Sequence, residues 1–395
     1  MEDNASMNRL LRRDFSSFAL LTLVSSMLAS ACGGAGTVEQ PSSGSVSGSG
    51  GGSGSGGESG SGGGSGGGSG SGGGNGSGTC PPVPACDTPP PDPGPELDWK
   101  GFFSSTIAAG IPSHRGRDLL LNPGDPQWVL GKFAYSAPPV EFDKDMHGEQ
   151  VDIWLLRGCG DQWELLGSAL TSDDEDNATV EGVKDTGGWI YFKIPADKAL
   201  GIGIHRIHMV LRGDLTTADQ IIEVAPPDTP VFVSDIDGTL TSSENAEFPA
   251  LLSGSLPDVH SDASAAFRIL IKKGYRPLYL TARPEWLGGR TRKLLDEKGF
   301  PVGAAHTTLT YTGATGDSAV QYKTDELAAL TKRFPVPSYA FGNTDSDAQA
   351  YENAGVKPLD HRIFYQFDDL LHSGRRIESY TELLEELEAL PVVCK

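Results

Sequence analysis

Two aspartates stand two residues apart in Asp235-Ile-Asp237-Gly238-Thr239, the stretch of this chain richest in usable chemistry. Where a strand turns into a loop, carboxylates at that spacing face one pocket, and Gly238 permits the tight turn. One carboxylate can attack phosphorus while the other carries the proton that the leaving oxygen needs. Such a pair repels a phosphate, so the chemistry calls for a divalent cation. Asp235, the carbonyl of Asp237 and Asp347 offer the few oxygen ligands that suit Mg2+, which keeps water and substrate phosphate in its remaining positions. Thr281 and Lys323 add a hydroxyl and a positive charge for the equatorial oxygens of a transferring phosphoryl group.

Those residues need a scaffold that gathers them from distant parts of the sequence. After Pro226-Pro227 the chain alternates short apolar strands with helical stretches. Strands are expected at 231–234, 276–281, near 307–311 and at 338–342, and helices at 260–273, 285–298, 324–334 and 346–353. That alternation predicts a doubly wound α/β domain with a parallel sheet, whose sites form at the C-terminal ends of the strands. Asp235 and Asp237 end the first strand and Thr281 the second, Lys323 opens a helix, and Asn343 and Asp347 follow the last strand. A lone Asp-x-Asp-Gly-Thr could be a capped turn, but the other groups at the strand ends argue for a site.

The motifs Asp235 to Thr241, Leu280-Thr281-Ala282-Arg283, Lys323 and Gly342-Asn343 with Asp347 resemble those of the haloacid dehalogenase superfamily of aspartyl-phosphate phosphatases. Within it, Ser234 to Ser242, Leu280 to Pro284, Thr291-Arg292 and Phe341 to Asp347, on through Tyr351, look like the lipin/Ned/Smp domain. That domain occurs in lipin phosphatidate phosphatases and, as a phosphatidate-sensing module, in membrane-associated phosphatidylinositol transfer proteins. The resemblance implies that Asp235 is the nucleophile and Asp237 the general acid and base. Thr281 and Lys323, with Gly238 and Thr239 of the first motif, would hold the substrate phosphate. Asp235, Asp237, Asp347 and Asn343 would hold Mg2+, with Asn343 standing where many members have Asp. Arg283 and Arg292 read as solvated helix-surface charges and stay outside this set, and His260 and His306 read as incidental.

The remainder of the 395 residues is organised differently. Arg9, Arg12 and Arg13 precede an apolar stretch and small residues leading to Cys32, a secretory pattern. Its ending resembles a bacterial lipoprotein signal, so residues 1–32 imply acylation of Cys32 and anchoring to the cell envelope. Residues 33–97 read as a disordered linker, first Gly/Ser-rich and then Pro-rich; the Gly/Ser part spans ~35–40 Å as a flexible coil. Residues 98–228 show strand patterns at 127–135, 150–157, 162–170, 188–194, 202–212 and 218–224, which predict an immunoglobulin-like β-sandwich. Residues 229–395 complete the chain as the α/β domain. An exported location permits disulfides, with Cys80 and Cys86 the expected pair.

Net charge is −21, about −16 of it in the folded part, which excludes the basic surface that nucleic-acid binding requires. The loop at 242–258 is too short for a folded cap, so a phosphate presented by something large could enter. Tether, open site and resemblance together point to a Mg2+-dependent hydrolase of phosphomonoesters, with phosphatidate in a phospholipid membrane as the expected substrate. A module that binds phosphatidate or a phosphoinositide without turnover, or a phosphatase of soluble phosphomonoesters, stands as the alternative.

Overall fold

The computed structural model describes residues 80–394, apart from 138–139, 243–246, 248–254 and 369–370. The signal segment, Cys32 and the Gly/Ser tract lie outside the described residues. A short helix α1 (Ser104–Ile107) leads into eleven strands. Five form one sheet: β3 (Leu119–Leu121), β7 (Gln150–Leu156), β8 (Trp163–Leu170), β10 (Gly203–Leu211) and β11 (Thr217–Val224), in the order β3-β11-β10-β7-β8. Opposite lie β2 (Arg115–Gly116), β4 (Trp128–Lys132) and β9 (Trp189–Lys193), and a small third sheet joins β1 (Ile111–Pro112), β5 (Ala134–Ala137) and β6 (Val140–Asp145). Alternation places the core: Val151, Ile153 and Leu155 turn inward and meet Val129, Phe133, Ile207, Met209 and Ile222. All six expected strand regions are present, and the result is a β-sandwich. Its β3–β11 pair is parallel.

The second half builds a six-stranded sheet: β12 (Val231–Ser234), β13 (Arg276–Leu280), β14 (Ala304–His306), β15 (Tyr339–Gly342), β16 (Arg362–Tyr365) and β17 (Arg375–Ile377). Every neighbouring pair is parallel, in the order β14-β13-β12-β15-β16-β17. Phe232, Tyr279 and Phe341 point to one face, covered by α2 (Ala263–Lys273), α3 (Gly288–Glu297) and α6 (Thr381–Glu388). Val231, Val233, Leu278 and Ala340 point to the other, under α4 (Asp317–Leu330) and α5 (Asp345–Asn353). Burial on both faces explains why these strands read as short unbroken apolar runs. The chain first moves outward through β12, β13 and β14, then returns to lay β15 on the other side of β12. The crevice where the order reverses opens at the C-terminal ends of β12 and β15.

Three expectations are corrected. The third strand lies at Ala304–His306 rather than 307–311, and α4 begins at Asp317 rather than 324. The apolar stripe of α4 is thin, only Ala319, Leu327 and Leu330, because Lys323 occupies the same buried face. Cys80 does not pair with Cys86. Cys80 joins Cys394, and Cys86 joins Cys159. The Pro-Pro-Val-Pro-Ala spacer keeps the first two cysteines apart, since an extended chain advances ~3 Å per residue.

The Pro-rich part of the expected linker, 80–97, is also pinned rather than free. Its backbone carbonyls make no helix or ladder of their own and accept from the sandwich instead. Trp163 Nε1 donates to Pro89 O at 2.8 Å, and Arg212 donates to the carbonyls of Pro93 and Pro95. Sandwich and α/β domain share packing as well: Leu120 and Ala225 lie in one apolar cluster with Val231, Val233 and Leu278.

Candidate active site

The loop after β12 is wound by its own backbone. Leu240 N and Thr241 N both donate to Ile236 O, at 2.8 and 3.0 Å, and Gly238 takes φ +72°, which favours glycine. Asp235 N donates to Phe341 O at 2.9 Å, tying the first strand's end to β15. Two side chains outside the expected set support this loop. Tyr380 donates its hydroxyl to Thr239 O at 2.9 Å, and His260 Nε2 lies 3.1 Å from Gly238 O while its ring stacks on Tyr365. His260 is therefore not incidental.

All eight residues expected to carry chemistry in this domain meet at the strand ends. Lys323 Nζ, from the middle of α4, donates to Asp235 Oδ1 at 2.8 Å and to Asp347 Oδ1 at 2.5 Å. Thr239 Oγ1 lies 3.3 Å from Asp235 Oδ2 and donates to Asn343 Oδ1 at 2.7 Å. Thr281 Oγ1 lies 3.3 Å from Asp237 Oδ2. Asp235, Thr239, Thr281, Lys323 and Asp347 are buried, while Asp237 and Asn343 line the accessible side.

Asp347 also starts α5. Its Oδ2 accepts from Asn343 N and Thr344 N, each at 3.1 Å, and from Thr344 Oγ1 at 2.8 Å, closing a capping box. Gly342 lets this happen, because a Cβ there would stand 2.5 Å from Asp347 Cβ.

Arg283 is the main residue the sequence reading missed. It is buried, not solvated, and grips Asp237 with two bonds, Nε to Oδ2 at 2.8 Å and Nη2 to Oδ1 at 2.7 Å. Its Nη2 also lies 3.0 Å from Glu247 Oε2. The signal was present: Arg283 follows Thr281 by two residues, the spacing that keeps extended side chains on one side. Arg292 is likewise no surface charge, since it pairs with buried Asp118 of the sandwich.

Burial sets the electrostatics. It pushes the Asp235 carboxyl up to about 8, against the pull of Lys323, with Asp347 and Asp237 adding repulsion. Burial alone would lower the Lys323 ammonium, but Asp235 and Asp347 outweigh it and hold Lys323 charged well above its usual value. Asp235, Asp237 and Asp347 face Lys323 and Arg283, so the carboxyl groups outnumber the cations, and Asp235 keeps its proton until the pH approaches about 8. Among the described residues no group of three or more His, Cys, Asp or Glu side chains forms a closed metal site. A cation here would have two protein carboxylates, a carbonyl and the amide oxygen of Asn343, all hard oxygen donors. That donor set would suit Mg2+, which fills its remaining positions with water and phosphate.

Both folded domains are similar in sequence to known proteins. Residues 232–365 match the family model described as the LNS2 domain of PITM 1-3, and residues 112–224 match that of the PITM 1-3 β-sandwich domain. The chain is 27% identical over 246 residues to protein retinal degeneration B of Drosophila melanogaster, covering 62% of this chain and 18% of that one. It is 26% identical over 266 residues to membrane-associated phosphatidylinositol transfer protein 1 of Homo sapiens, covering 67% and 19%. Against membrane-associated phosphatidylinositol transfer protein 3 of Mus musculus it is 29% identical over 192 residues, covering 48% and 18%. The match therefore spans under a fifth of the length of these relatives. Together the motifs and the matches support a lipin-like LNS2 domain at residues 232–365, preceded by a β-sandwich domain at residues 112–224.

Proposed function

We propose that this protein hydrolyses a phosphomonoester through an aspartyl-phosphate intermediate, with phosphatidate presented by a membrane as the substrate. One observation carries the reading: a buried aspartate at the end of the first strand, hydrogen-bonded to a buried lysine, with Thr239 at its other oxygen. Asp235 attacks phosphorus, the bond to the diacylglycerol oxygen breaks, and Asp237 protonates that oxygen as it leaves. Water then attacks the phosphoryl group on Asp235, Asp237 takes up the water's proton, and phosphate departs. Lys323 and Thr281 hold the equatorial oxygens. A bound Mg2+ supplies positive charge against the substrate phosphate. Acylated Cys32, in the exported and envelope-anchored chain that the signal segment implies, would keep the site near its substrate.

One feature favours a second reading, a module that binds phosphatidate without turning it over. Arg283 holds both oxygens of Asp237, and a carboxylate so engaged releases and takes up protons poorly. The matched relatives are named as phosphatidylinositol transfer proteins, which supports a lipid-related role. Phosphate release from phosphatidate vesicles decides between the two, measured with and without Mg2+ beside Asp235→Asn. The expected result is Mg2+-dependent release that falls at least ~1,000-fold in the variant. Vesicle binding without release would overturn the catalytic reading.

A further inference from the structure

Three side chains of the sandwich reach into the α/β domain from one short stretch, Arg115-Gly-Arg117-Asp118. Arg117 Nη2 donates to both oxygens of Glu326, at 2.7 and 2.9 Å. Asp118 Oδ2 accepts from Ala305 N at 2.8 Å and pairs with Arg292, fixing β14 and α3. Arg115 bridges Asp143 of its own domain, at 2.9 Å, to Glu285 at 2.7 Å, four residues after Thr281. His306 closes the group, its Nδ1 2.7 Å from Glu326 Oε2 and its Nε2 3.0 Å from Asp118 O. Arg115, Arg117 and Asp118 are all buried.

These contacts do not simply join two surfaces. Two of them land beside the candidate site: Glu326 shares α4 with Lys323, and Glu285 follows Thr281 by four residues. Glu326 lies one helical turn beyond Lys323 on α4, close to the same face. The apolar grip on α4 is thin in its first half, where Ala319 is buried and the Tyr322 ring packs partly buried against the cluster, while Leu327 and Leu330 lie beyond Lys323. The Glu326 ion pair is therefore the charged anchor of α4 nearest along the helix to Lys323, beside a single neutral bond from Asn353 to Thr324. Nζ of Lys323 must stay within hydrogen-bond reach of Asp235, and a helix slip of ~1 Å ends that contact.

We propose that Arg117 is a positioning residue for the candidate active site: through Glu326 it sets the seat of α4 and hence the place of Lys323 against Asp235. The inference rests on the functional reading above only for its kinetic readout. Arg117 touches no reacting atom and acts entirely through the helix. The sandwich thus supplies no site residue and acts on the site by seating α4.

The test compares Arg117→Gln, Glu326→Gln and the double variant in the full chain. Arg117→Gln leaves the Glu326 carboxylate with His306 as its partner and no guanidinium, and Glu326→Gln leaves Arg117 without its carboxylate, whereas the double variant restores a neutral hydrogen-bonded pair of similar shape. With phosphatidate vesicles, Arg117→Gln should lower kcat about 10- to 100-fold and leave KM within about twofold, because Lys323 acts on the transition state. The double variant should return to within about threefold of wild type. Deuterium uptake over residues 317–330 should rise in the single variant and fall back in the double. A wild-type chain without turnover would refute the phosphatase reading alone, since deuterium uptake reports α4 directly. Unchanged uptake over 317–330 in Arg117→Gln would overturn the positioning role whatever the turnover. So would a fall in melting temperature with kcat unchanged, which marks a merely structural contact.

Discussion

Replacing Lys323 with Met tests the electrostatic core of the site without any assumption about substrate. The ammonium is buried, 2.8 Å from Asp235 Oδ1 and 2.5 Å from Asp347 Oδ1. Met fills much the same volume, so packing survives while two buried carboxylates lose their shared counter-charge. Breaking a buried pair from one side costs about 3–5 kcal/mol, which for a body of this size corresponds to a melting shift of roughly 5–8 °C. The cost must also depend on pH, and its sign follows from Asp235. That carboxyl stands at about 8 in the folded protein, raised by burial, against 3.8 for the free side chain. A raised carboxyl keeps its proton in the fold, so stability is greatest below the unfolded value and declines as pH rises toward the folded one. Removing Lys323, whose charge pulls Asp235 down, raises Asp235 further and steepens that decline. Thermal unfolding of both proteins at pH 5 and pH 8, in chelator, should show a larger deficit at pH 8. A deficit under about 1 kcal/mol at pH 8, or one equal at both pH values, would refute the reasoning.

Other outcomes follow from the same contacts. Arg283→Gln should destabilise the protein by about 3 kcal/mol in urea titration, because Asp237 and Glu247 both lose a buried partner. Millimolar Mg2+ should stabilise wild type in thermal unfolding, by about 2.7 kcal/mol at a hundredfold excess over Kd, and should not protect Asp235→Asn. Peptide mapping without reductant should recover Cys80 with Cys394 and Cys86 with Cys159. Cys86→Ser with Cys159→Ser should cost about 4 kcal/mol in denaturant titration.

Local rules made the site's framework legible in the sequence. Short apolar runs ending in Asp235, Thr281 and Asn343 marked parallel strands and their active ends, because burial on both faces leaves no polar alternation. Support from afar was not legible. Tyr380 reaches Thr239 from the far end of the chain, and nothing in its surroundings announces that contact. Arg283 looked like a surface charge because its partners, Asp237 and Glu247, come from a different strand end and loop. The start of α4 was missed because its buried stripe contains a lysine, which breaks apolar periodicity where the chemistry needs it. The disulfides failed for a geometric reason: closeness in sequence mattered less than a stiff proline spacer that sends each cysteine to a different domain.

The two disulfides also decide how the body is held when it is pulled or cut. Residues before Cys80 meet a junction at that residue. One route leaves through sulfur to Cys394 in the α/β domain, and the other runs along the chain to Cys86 and through sulfur to Cys159 in the sandwich. Load from the N-terminal side is therefore shared by two covalent paths that end in different domains. A single proteolytic cut between Cys80 and Cys86 would leave the body attached through Cys394. Reduction of Cys80–Cys394 alone would leave it attached through the peptide. Only the loss of both routes would set the folded part free.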